Sequence, residues 1–234
     1  MTDLDGPERA RYVREMFTRI ARRYDRMNKL ITFGQDRRWR AEVIRRADLP
    51  RGRSLLLDLG AGTGDLGFQA LGENPAVVPI ETDFTPAMMQ VGRSRTGGCA
   101  LHWAAADGLT LPFPADTFDA AVSGFLLRNV TDIDRVLREQ HRVLKPGGAI
   151  VSLDTTPPRK NLLTPLIRLH MGVIIPTLGR LLTGQAEAYA YLPESSVNFL
   201  PAEALAERMR AAGFRQVDFR RRMFGVVAIH WGVK

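Results

Sequence analysis

The chain has 234 residues, and its 33 Lys and Arg against 25 Asp and Glu give a formal net charge of +8. Its hydrophobic share of 45% and charged share of 25% are ordinary for a globular domain and exclude a disordered, collagen-like or coiled-coil chain. The single cysteine, Cys99, excludes an internal disulfide and a cysteine-cluster zinc site, and the four His show no metal-ligand spacing. We therefore expect a cytoplasmic protein without a metal. The excess positive charge suggests an anionic partner such as nucleic acid or a membrane surface.

The positive charge is concentrated near the start of the chain. Residues 9–53 contain fourteen Arg and one Lys against five acidic residues, a net charge of +10, and the remainder is close to neutral. In the same stretch, apolar side chains recur at helical spacing over 12–30, residues 32–34 are typical of a helix end, and 37–47 fits a second helix. We expect a helical N-terminal unit over residues 1–50.

From residue 54 onward, strands alternate with helices. The run 55–59 is apolar apart from Asp58 and ends in glycines, as expected of a parallel strand buried on both faces. This alternation predicts an α/β fold with a doubly wound parallel sheet. Pro79 argues against a central position for the second strand, because proline cannot donate a ladder hydrogen bond. The predicted strands are 55–59, 77–80, 101–104, 118–124 and 149–153, and the predicted helices include 85–95 and 132–144.

The C-terminal part has a different pattern. A helix over 201–212 is followed by two strands, 216–222 and 226–231, which are too close for a helical crossover and so predict an antiparallel hairpin. The apolar stretch 162–182 is interrupted by Pro, Arg and His, so we interpret it as a buried helix pair or a substrate-facing lid rather than a membrane span. We expect one domain, 1–234, with a 54–234 α/β core and a helical insertion at 158–200.

A glycine-rich loop joins the first strand to the next helix. Its sequence, Asp58-Leu59-Gly60-Ala61-Gly62-Thr63-Gly64-Asp65, lets a ligand approach the backbone and the helix N-terminus. The dinucleotide-binding pattern needs glycine where Asp65 stands, and a carboxylate there disfavours a pyrophosphate. A cofactor with a positive centre and no phosphate, such as S-adenosylmethionine, fits better. Glu81 or Asp83 after the second strand would accept from the ribose hydroxyls, and Asp107 after the third from the adenine amino group.

The glycine loop resembles the first motif of the class I S-adenosylmethionine-dependent methyltransferases, and 144–148 resembles their later strand-entry turn. That family implies a Rossmann-like seven-stranded sheet whose last strand is antiparallel, which agrees with the C-terminal hairpin. Further motifs between about Phe17 and His230 resemble the ubiquinone/menaquinone biosynthesis C-methyltransferases. They are Tyr24-Asp25-Arg26-Met27-Asn28, Phe33-Gly34, Trp39-Arg40, Leu111-Pro112-Phe113-Pro114, Leu127-Arg128-Asn129-Val130-Thr131-Asp132, Ala186-Glu187 with Tyr189, Tyr191-Leu192, Glu194-Ser195 and Ala228-Ile229-His230.

The resemblance implies methyl transfer from S-adenosylmethionine to a ring carbon of an isoprenoid quinol, under a lid formed by residues 1–50. For this reaction we expect Arg128 to stabilise the phenolate, directly or through water, and Asn129 to orient it, because both follow the fourth strand at the ligand-binding edge of such sheets. Two departures from the family pattern, at 124–126 and 231–233, leave the acceptor open. The implied cofactor-binding residues are Tyr24, Met27, Asp58, Gly60, Gly62, Thr63, Gly64, Asp83, Phe84, Asp107, Gly108 and Gly124.

Alternatives stay open for several residues. Arg128 alternatively forms a surface salt bridge with Asp132 or Asp134. Tyr24 and Met27, which the resemblance places on the lid, alternatively belong to the apolar stripe of a docked helix. His230 could act as a base, although a lone His in a closing strand is more often structural.

The implied acceptor carries an isoprenoid tail that dissolves in a bilayer. We therefore expect docking at an anionic membrane surface, on the inner face of the plasma membrane, through the Arg-rich helices, 162–182 and 220–222. Nucleic acid is disfavoured because aromatic residues are sparse in the basic stretch. A soluble phenolic acceptor is the main alternative, a non-catalytic S-adenosylmethionine-binding protein is another, and a homodimer is left open. The sequence does not distinguish a naphthoquinol from a benzoquinol.

Overall fold

The computed structural model describes residues 6–157, 165, 169–174, 177, 191 and 194–234. Most of the predicted 158–200 insertion lies outside the described residues, including much of 162–182 as well as Ala186, Glu187 and Tyr189. In the described part of the chain, no helix is long and apolar enough to cross a membrane.

Two helices precede the sheet, as the apolar spacing predicts. Their bounds are Gly6–Ile31 for α1 and Asp36–Arg46 for α2. The apolar stripe of α1 buries Met16 and Met27 against Tyr191. Trp39 and Val43 of α2 pack instead against the sheet. The basic side chains of both helices point mainly away from these contacts, so helix amphipathicity separates the charge from the core.

A mixed seven-stranded sheet forms the centre of the fold. Its strands are β1 (Ser54–Leu59), β2 (Val77–Asp83), β3 (His102–Ala105), β4 (Phe118–Gly124), β5 (Leu144–Thr155), β6 (Arg215–Arg222) and β7 (Val227–Val233). The spatial order is β3-β2-β1-β4-β5-β7-β6. Neighbours from β3 to β5 are parallel, and β7 is antiparallel to both β5 and β6. The predicted doubly wound sheet with an antiparallel last strand is confirmed.

Helices cover both faces of this sheet. After α2 come α3 (Asp65–Glu73), α4 (Pro86–Ser94), α5 (Ile133–Val143), the π-helical segment His170–Ile174 and α6 (Ala202–Ala211). Side chains of α2 and α3 share one apolar cluster with the sheet, and side chains of α5 and α6 share another on the opposite face. Burial on both faces explains why β1, β4 and β5 read as continuous apolar runs.

Strand β2 is internal, which corrects the expectation drawn from Pro79. It pairs with β1 from Val77 onward, but with β3 only from Ile80 onward. Pro79 thus lies just before the part of β2 that β3 covers, so the missing N–H removes no hydrogen bond to β3. Pro79 is therefore compatible with an internal strand, because β2 is flanked on both sides only from Ile80 onward.

Candidate active site

A cleft opens at the carboxyl edge of the sheet, between the glycine loop and α1. It lies where β2 and β4 depart from β1 on opposite sides, which is the position where open α/β sheets bind ligands. Its wall is made by Ala10, Val13, Phe17, Tyr24, Arg40, residues 58–63, Asp65, Leu66, residues 83–85, Met88, residues 106–109, residues 124–126 and residues 129–131.

The glycine loop has both conformational and packing reasons for its composition. Gly60, Gly62 and Gly64 have φ values of 71°, 58° and 83°, which residues with a Cβ rarely adopt. A Cβ at Gly60 would lie 2.7 Å from a methyl carbon of Leu126, and one at Gly64 would lie 2.7 Å from the Trp103 ring. A side chain at Gly60 or Gly64 would therefore displace the loop or the residues packed against it.

Asp83 fixes this loop from the end of β2. Its carboxylate accepts hydrogen bonds from the backbone N–H groups of Gly62 at 2.8 Å and Thr85 at 2.6 Å. Burial raises the pKa of Asp83, and these two hydrogen bonds oppose the rise. A carboxylate offers about four acceptor positions, so about two remain for a ligand. The neighbouring Phe84 ring is 43% exposed in the cleft wall, which suits a flat ligand.

A second acidic pair lies deeper in the same wall. Asp58 on β1 and Glu81 on β2 are register partners, and their exposed fractions are 1% and 0%. None of their four carboxylate oxygens has a hydrogen-bond donor among the described residues. Burial raises the pKa of Asp58 to about 7, and burial together with the neighbouring Asp58 raises the pKa of Glu81 well above its ordinary value. Only Asp58 of the two lines the cleft.

Helix α1 is tied to the glycine loop by polar contacts. The Thr63 hydroxyl donates to Asp25 on α1 at 2.7 Å, and Arg95 lies 3.7 Å from the same carboxylate. Arg95 also donates to the Thr63 carbonyl at 3.0 Å. These contacts join α1 and the segment after α4 to one another through the loop. In this structure α1 therefore covers the cleft, with Tyr24 in its wall.

Asp65 has a different role from the one that the sequence suggests. Its carboxylate is bound by Arg40 at 3.0 Å and by Arg95 at 2.6 Å, so two guanidinium groups balance its charge. Repulsion of a pyrophosphate by Asp65 alone is therefore a weak argument. Asp58 and Asp83 also line the cleft, and neither forms an ion pair with a guanidinium group of the described residues.

The turn after β4 carries backbone strain at the cleft. Phe125 has a φ of 60°, a left-handed value that is uncommon for a residue other than glycine. Its N–H donates to the Leu153 carbonyl at 2.7 Å, and its carbonyl accepts from Asn129 Nδ2 at 3.0 Å. Phe125 and Leu126 both line the cleft. The departure from the family pattern at 124–126 thus lies where it can contact a ligand.

Arg128 forms a buried ion pair with Asp154 at the end of β5. The two side chains are 5% and 1% exposed, and Nη1 lies 2.6 Å from Oδ1. The backbone N–H of Arg128 donates to the other oxygen of Asp154 at 3.3 Å. The alternative prediction, a surface salt bridge of Arg128 with Asp132 or Asp134, was wrong. Asp132 caps α5, and Asp134 pairs with Arg208.

A second cavity lies on the other side of the same turn. Arg128 lines this cavity together with Tyr12, Tyr191 and Phe199, and it does not line the cleft. Asn129 lines the cleft, and its Oδ1 accepts from the Tyr191 hydroxyl at 3.2 Å. Residues 130 and 131 line both spaces. The turn 127–131 is therefore the wall that the cleft and the second cavity share.

His230 and Trp231 lie away from both spaces. His230 is 1% exposed, stacks on Phe219 and places Nε2 2.9 Å from the Ala202 carbonyl, and burial lowers its pKa. The guanidinium carbon of Arg46 lies 3.2 Å from the centre of the Trp231 ring. His230 therefore has the structural environment that the sequence favours. The second departure from the family pattern is outside the cleft wall.

Most of the predicted site residues meet at the cleft. Three do not line it: Met27 is buried on the inner side of α1, Gly64 is the residue before α3, and Arg128 faces the second cavity. Val13, Phe17 and Met88 also line the cleft, although their helical spacing in the sequence is that of ordinary core residues. Arg40 belongs to the Trp39-Arg40 motif, and only the fold brings it to Asp65.

Comparison with known proteins gives the family. The model of the ubiE/COQ5 methyltransferase family matches residues 5–234. The chain belongs to the ubiE/COQ5 methyltransferase family. Among its members, the ubiquinone/menaquinone biosynthesis C-methyltransferase UbiE of Desulfotalea psychrophila is 45% identical over 95% of this chain and 90% of its own length. The demethylmenaquinone methyltransferase of a Roseiflexus species is 42% identical over 100% of this chain and 98% of its own length.

Solved structures resemble this family member in fold. The [4+2]-cyclase SpnF matches with a TM-score of 0.67 at 20% identity, covering 95% of this chain and 94% of that chain. A phosphoethanolamine N-methyltransferase of Haemonchus contortus, solved with S-adenosyl-L-methionine, matches with a TM-score of 0.64 at 14% identity, covering 84% of this chain and 52% of that chain. At these identities the likeness shows the fold alone.

Proposed function

We propose that this ubiE/COQ5 family member transfers a methyl group from S-adenosylmethionine to a ring carbon of an isoprenoid quinol in menaquinone or ubiquinone biosynthesis. The observation that carries the proposal is the cleft itself, where a glycine loop, two buried carboxylates and an exposed aromatic ring meet beside a second cavity. The names of the 45% and 42% identical relatives support the same reaction.

The cleft fits S-adenosylmethionine by the chemistry of its donor and acceptor groups. Asp83 keeps about two acceptor positions for the ribose hydroxyls, and Phe84 offers a ring face beside them. The orphaned oxygens of Asp58 suit a cationic group, and Asp107 with Gly108 closes the adenine end of the wall. The glycine loop, whose residues 60–63 line the cleft, is then the wall that would face the amino-acid part of the cofactor. When bound, the cofactor supplies an electrophilic methyl group on its sulfonium.

The chain's part in the reaction is to align the acceptor carbon, exclude water and handle the phenol proton. Helix α1 closes one side of the cleft through the Asp25 and Thr63 hydrogen bond. Asn129 stands between the cleft and the second cavity, and its contact with Tyr191 holds its amide in place. We assign Asn129 to orienting the quinol hydroxyl, with the ring approaching from the side of the second cavity.

We assign Arg128 to stabilising the phenolate that develops in the reaction, from the side of the second cavity. Its Nε has no hydrogen-bond partner among the described residues, whereas Nη1 is held by Asp154. The buried pair fixes the guanidinium, so it can present a preorganised positive group toward the second cavity. Stabilisation of the phenolate, directly or through a water molecule, is then the contribution that Arg128 makes.

A transfer assay tests the proposed function. Purified protein is incubated with labelled S-adenosylmethionine and with demethylated naphthoquinols or benzoquinols that carry an isoprenoid tail, and mass spectrometry locates the new methyl group on carbon or oxygen. We expect carbon methylation of a quinol, reduced strongly in Asn129→Ala. Turnover of a soluble phenol with no transfer to any quinol would establish the alternative acceptor class instead. The outcome with the two ring types decides between naphthoquinol and benzoquinol.

We also propose that α1 brings the enzyme to an anionic membrane. The exposed side of α1 carries Arg11, Arg14, Arg19, Arg22, Arg23, Arg26 and Lys29. At the end of this face, Leu30 is 47% exposed and Phe33 is 70% exposed. A basic helix face next to exposed apolar side chains is typical of peripheral membrane binding. Because α1 also covers the cleft, such docking would place the cleft near the bilayer that dissolves the substrate.

Vesicle co-sedimentation with matched variants tests this surface. Arg22→Gln and Arg138→Gln each remove one exposed Arg, the first from α1 and the second from α5. A basic residue near anionic lipid contributes about 1 kcal/mol, so Arg22→Gln should weaken binding by about fivefold. Arg138→Gln should not, and added salt should weaken the wild-type protein. Equal binding of both variants, or equal binding to neutral vesicles at high salt, would remove α1 as the docking surface.

A further inference from the structure

The deepest polar feature of the cleft is the pair formed by Asp58 and Glu81. These residues are register partners on neighbouring parallel strands, and both are almost fully buried. A Cβ added at Gly67 of α3 would lie 2.0 Å from Glu81 Oε1, so the Glu81 side chain occupies the space beneath that helix. Glycine at 67 thus makes room for a carboxyl group in the interior.

Among the described residues, each of these two carboxyl groups has only the other as a hydrogen-bond partner. The four carboxylate oxygens have no N–H or hydroxyl donor among the described residues. The charged groups that face the pair from the packed elements are Asp83 on β2, Asp65 on α3 and Arg40 on α2, and Arg40 is already bound by Asp65. Two adjacent buried carboxylates cannot both stay ionised without donors, so the pair must hold a proton.

The positions of Asp58 and Glu81 indicate which of the two holds the proton. Asp58 lines the cleft, whereas Glu81 lies behind it under α3. A protonated Glu81 can donate its O–H to Asp58, which supplies the missing donor and leaves the outer side of Asp58 toward the cleft. We propose that Glu81 is a positioning residue that shares a proton with Asp58, so that binding of the cationic methyl donor in the cleft is coupled to release of a proton from this pair.

Sharing of a proton in this pair affects discrimination between donor and product. The sulfonium of S-adenosylmethionine carries one positive charge that the thioether product lacks, so it favours the ionised form of Asp58 more strongly. Near neutral pH, the second proton of the pair leaves for solvent when the donor binds. Preference for the donor over the product should therefore increase as the pH rises. The coupling rests on the proposed cofactor and does not depend on which acceptor is methylated.

Glu81→Gln tests the role of the second carboxyl. The side-chain amide that this substitution introduces would donate to Asp58 permanently and could not share a proton, so the pKa of Asp58 should fall. With a pair that titrates at about 7, wild-type affinity for S-adenosylmethionine should rise about tenfold from pH 6 to pH 8 beyond the ligand's own titration. In Glu81→Gln this additional rise in affinity between pH 6 and pH 8 should disappear. The amino group of the ligand titrates equally in both proteins, so the ratio of their dissociation constants at each pH isolates the protein's contribution.

Glu73→Gln is the matched control, since Glu73 is exposed at the end of α3 and should keep the wild-type profile. Calorimetry of the wild-type protein in two buffers of different ionisation enthalpy gives a readout that needs no variant. At pH 7, donor binding should release more protons than product binding, up to about half a proton. An unchanged pH profile in folded Glu81→Gln, or equal proton release with donor and product, would overturn the proposal. A protein that binds the donor with this signature and methylates no quinol would refute the proposed function and leave the coupling intact.

Discussion

Asp83→Asn is the substitution whose effect can be derived most directly from the cleft. The Asp83 carboxylate accepts from Gly62 N–H at 2.8 Å and from Thr85 N–H at 2.6 Å, and we assign its remaining acceptor positions to the ribose. An asparagine retains one oxygen and turns an NH₂ group toward one of these donors. It should therefore lose one loop hydrogen bond and one ribose hydrogen bond, each charge-assisted and contributing about 1.5–3 kcal/mol.

Two measurements separate the loss of the loop hydrogen bond from the loss of the ribose hydrogen bond. Chemical denaturation of the free protein should report the loop bond as a decrease of about 1.5–3 kcal/mol in the free energy of unfolding. Isothermal titration should show S-adenosylmethionine affinity weakened by at least about tenfold, because at least one charge-assisted hydrogen bond to the ligand is missing. The variant keeps the shape of the side chain, so the cleft itself should persist.

Asp119→Asn provides the matched control at the opposite edge of the sheet. Asp119 accepts from the Leu55 N–H at 2.8 Å and from Lys145 at 2.6 Å, so it resembles Asp83 in binding a backbone donor. It lies outside the cleft wall. Asp119→Asn should lower stability and leave cofactor affinity unchanged. If Asp83→Asn bound the cofactor as tightly as Asp119→Asn, the ribose assignment of Asp83 would be refuted.

Three further substitutions follow from the structure. Asp154→Asn leaves Arg128 buried without its counter-charge and should lower the free energy of unfolding by about 3–5 kcal/mol in urea denaturation. Gly64→Ala combines a left-handed φ of 83° with a contact at 2.7 Å to Trp103, so it should cost about 1–3 kcal/mol in the same measurement. Burial lowers the pKa of His230, so the unfolded chain binds a proton below about pH 6.5 that the folded state resists. Wild-type stability should therefore decline as the pH falls through this range, and His230→Gln should decline less.

Each of these predictions has its own control. Gly72→Ala alters an exposed position of α3 with open space around it, so it should be neutral or slightly stabilising, unlike Gly64→Ala. Replacing both members of the buried pair, as Arg128→Met with Asp154→Leu, should recover part of the stability lost in Asp154→Asn. Methyl transfer by His230→Gln should match the wild-type enzyme, and a large loss of turnover with normal cofactor affinity would return His230 to the candidates for the base.

The local sequence was sufficient to predict the sheet and its edge. Apolar runs such as 55–59 and 118–124, the spacing of the glycine loop and the short C-terminal hairpin each depend on neighbours in sequence, so they predicted the strands, the cleft edge and the reversed last strand. The resemblance of the motifs then predicted the family that the comparisons confirm. Element ends shifted by a few residues, as for β5, because hydrogen bonding to neighbouring strands extends a strand beyond its apolar run.

The contacts of the charged residues could be decided only by the tertiary structure. Asp65 and Arg40 are 25 positions apart, and Arg128 and Asp154 are 26, so nothing in either local pattern indicates the pairing. The same holds for Asp58 and Glu81, which look like two ordinary acids at strand ends until the register places them side by side in the interior. The basic residues that give the chain its net charge of +8 likewise find their contacts only in the tertiary structure. Some of the basic residues neutralise carboxylates around the cleft and others lie on the exposed face of α1, because only packing determines which guanidinium groups approach a carboxylate.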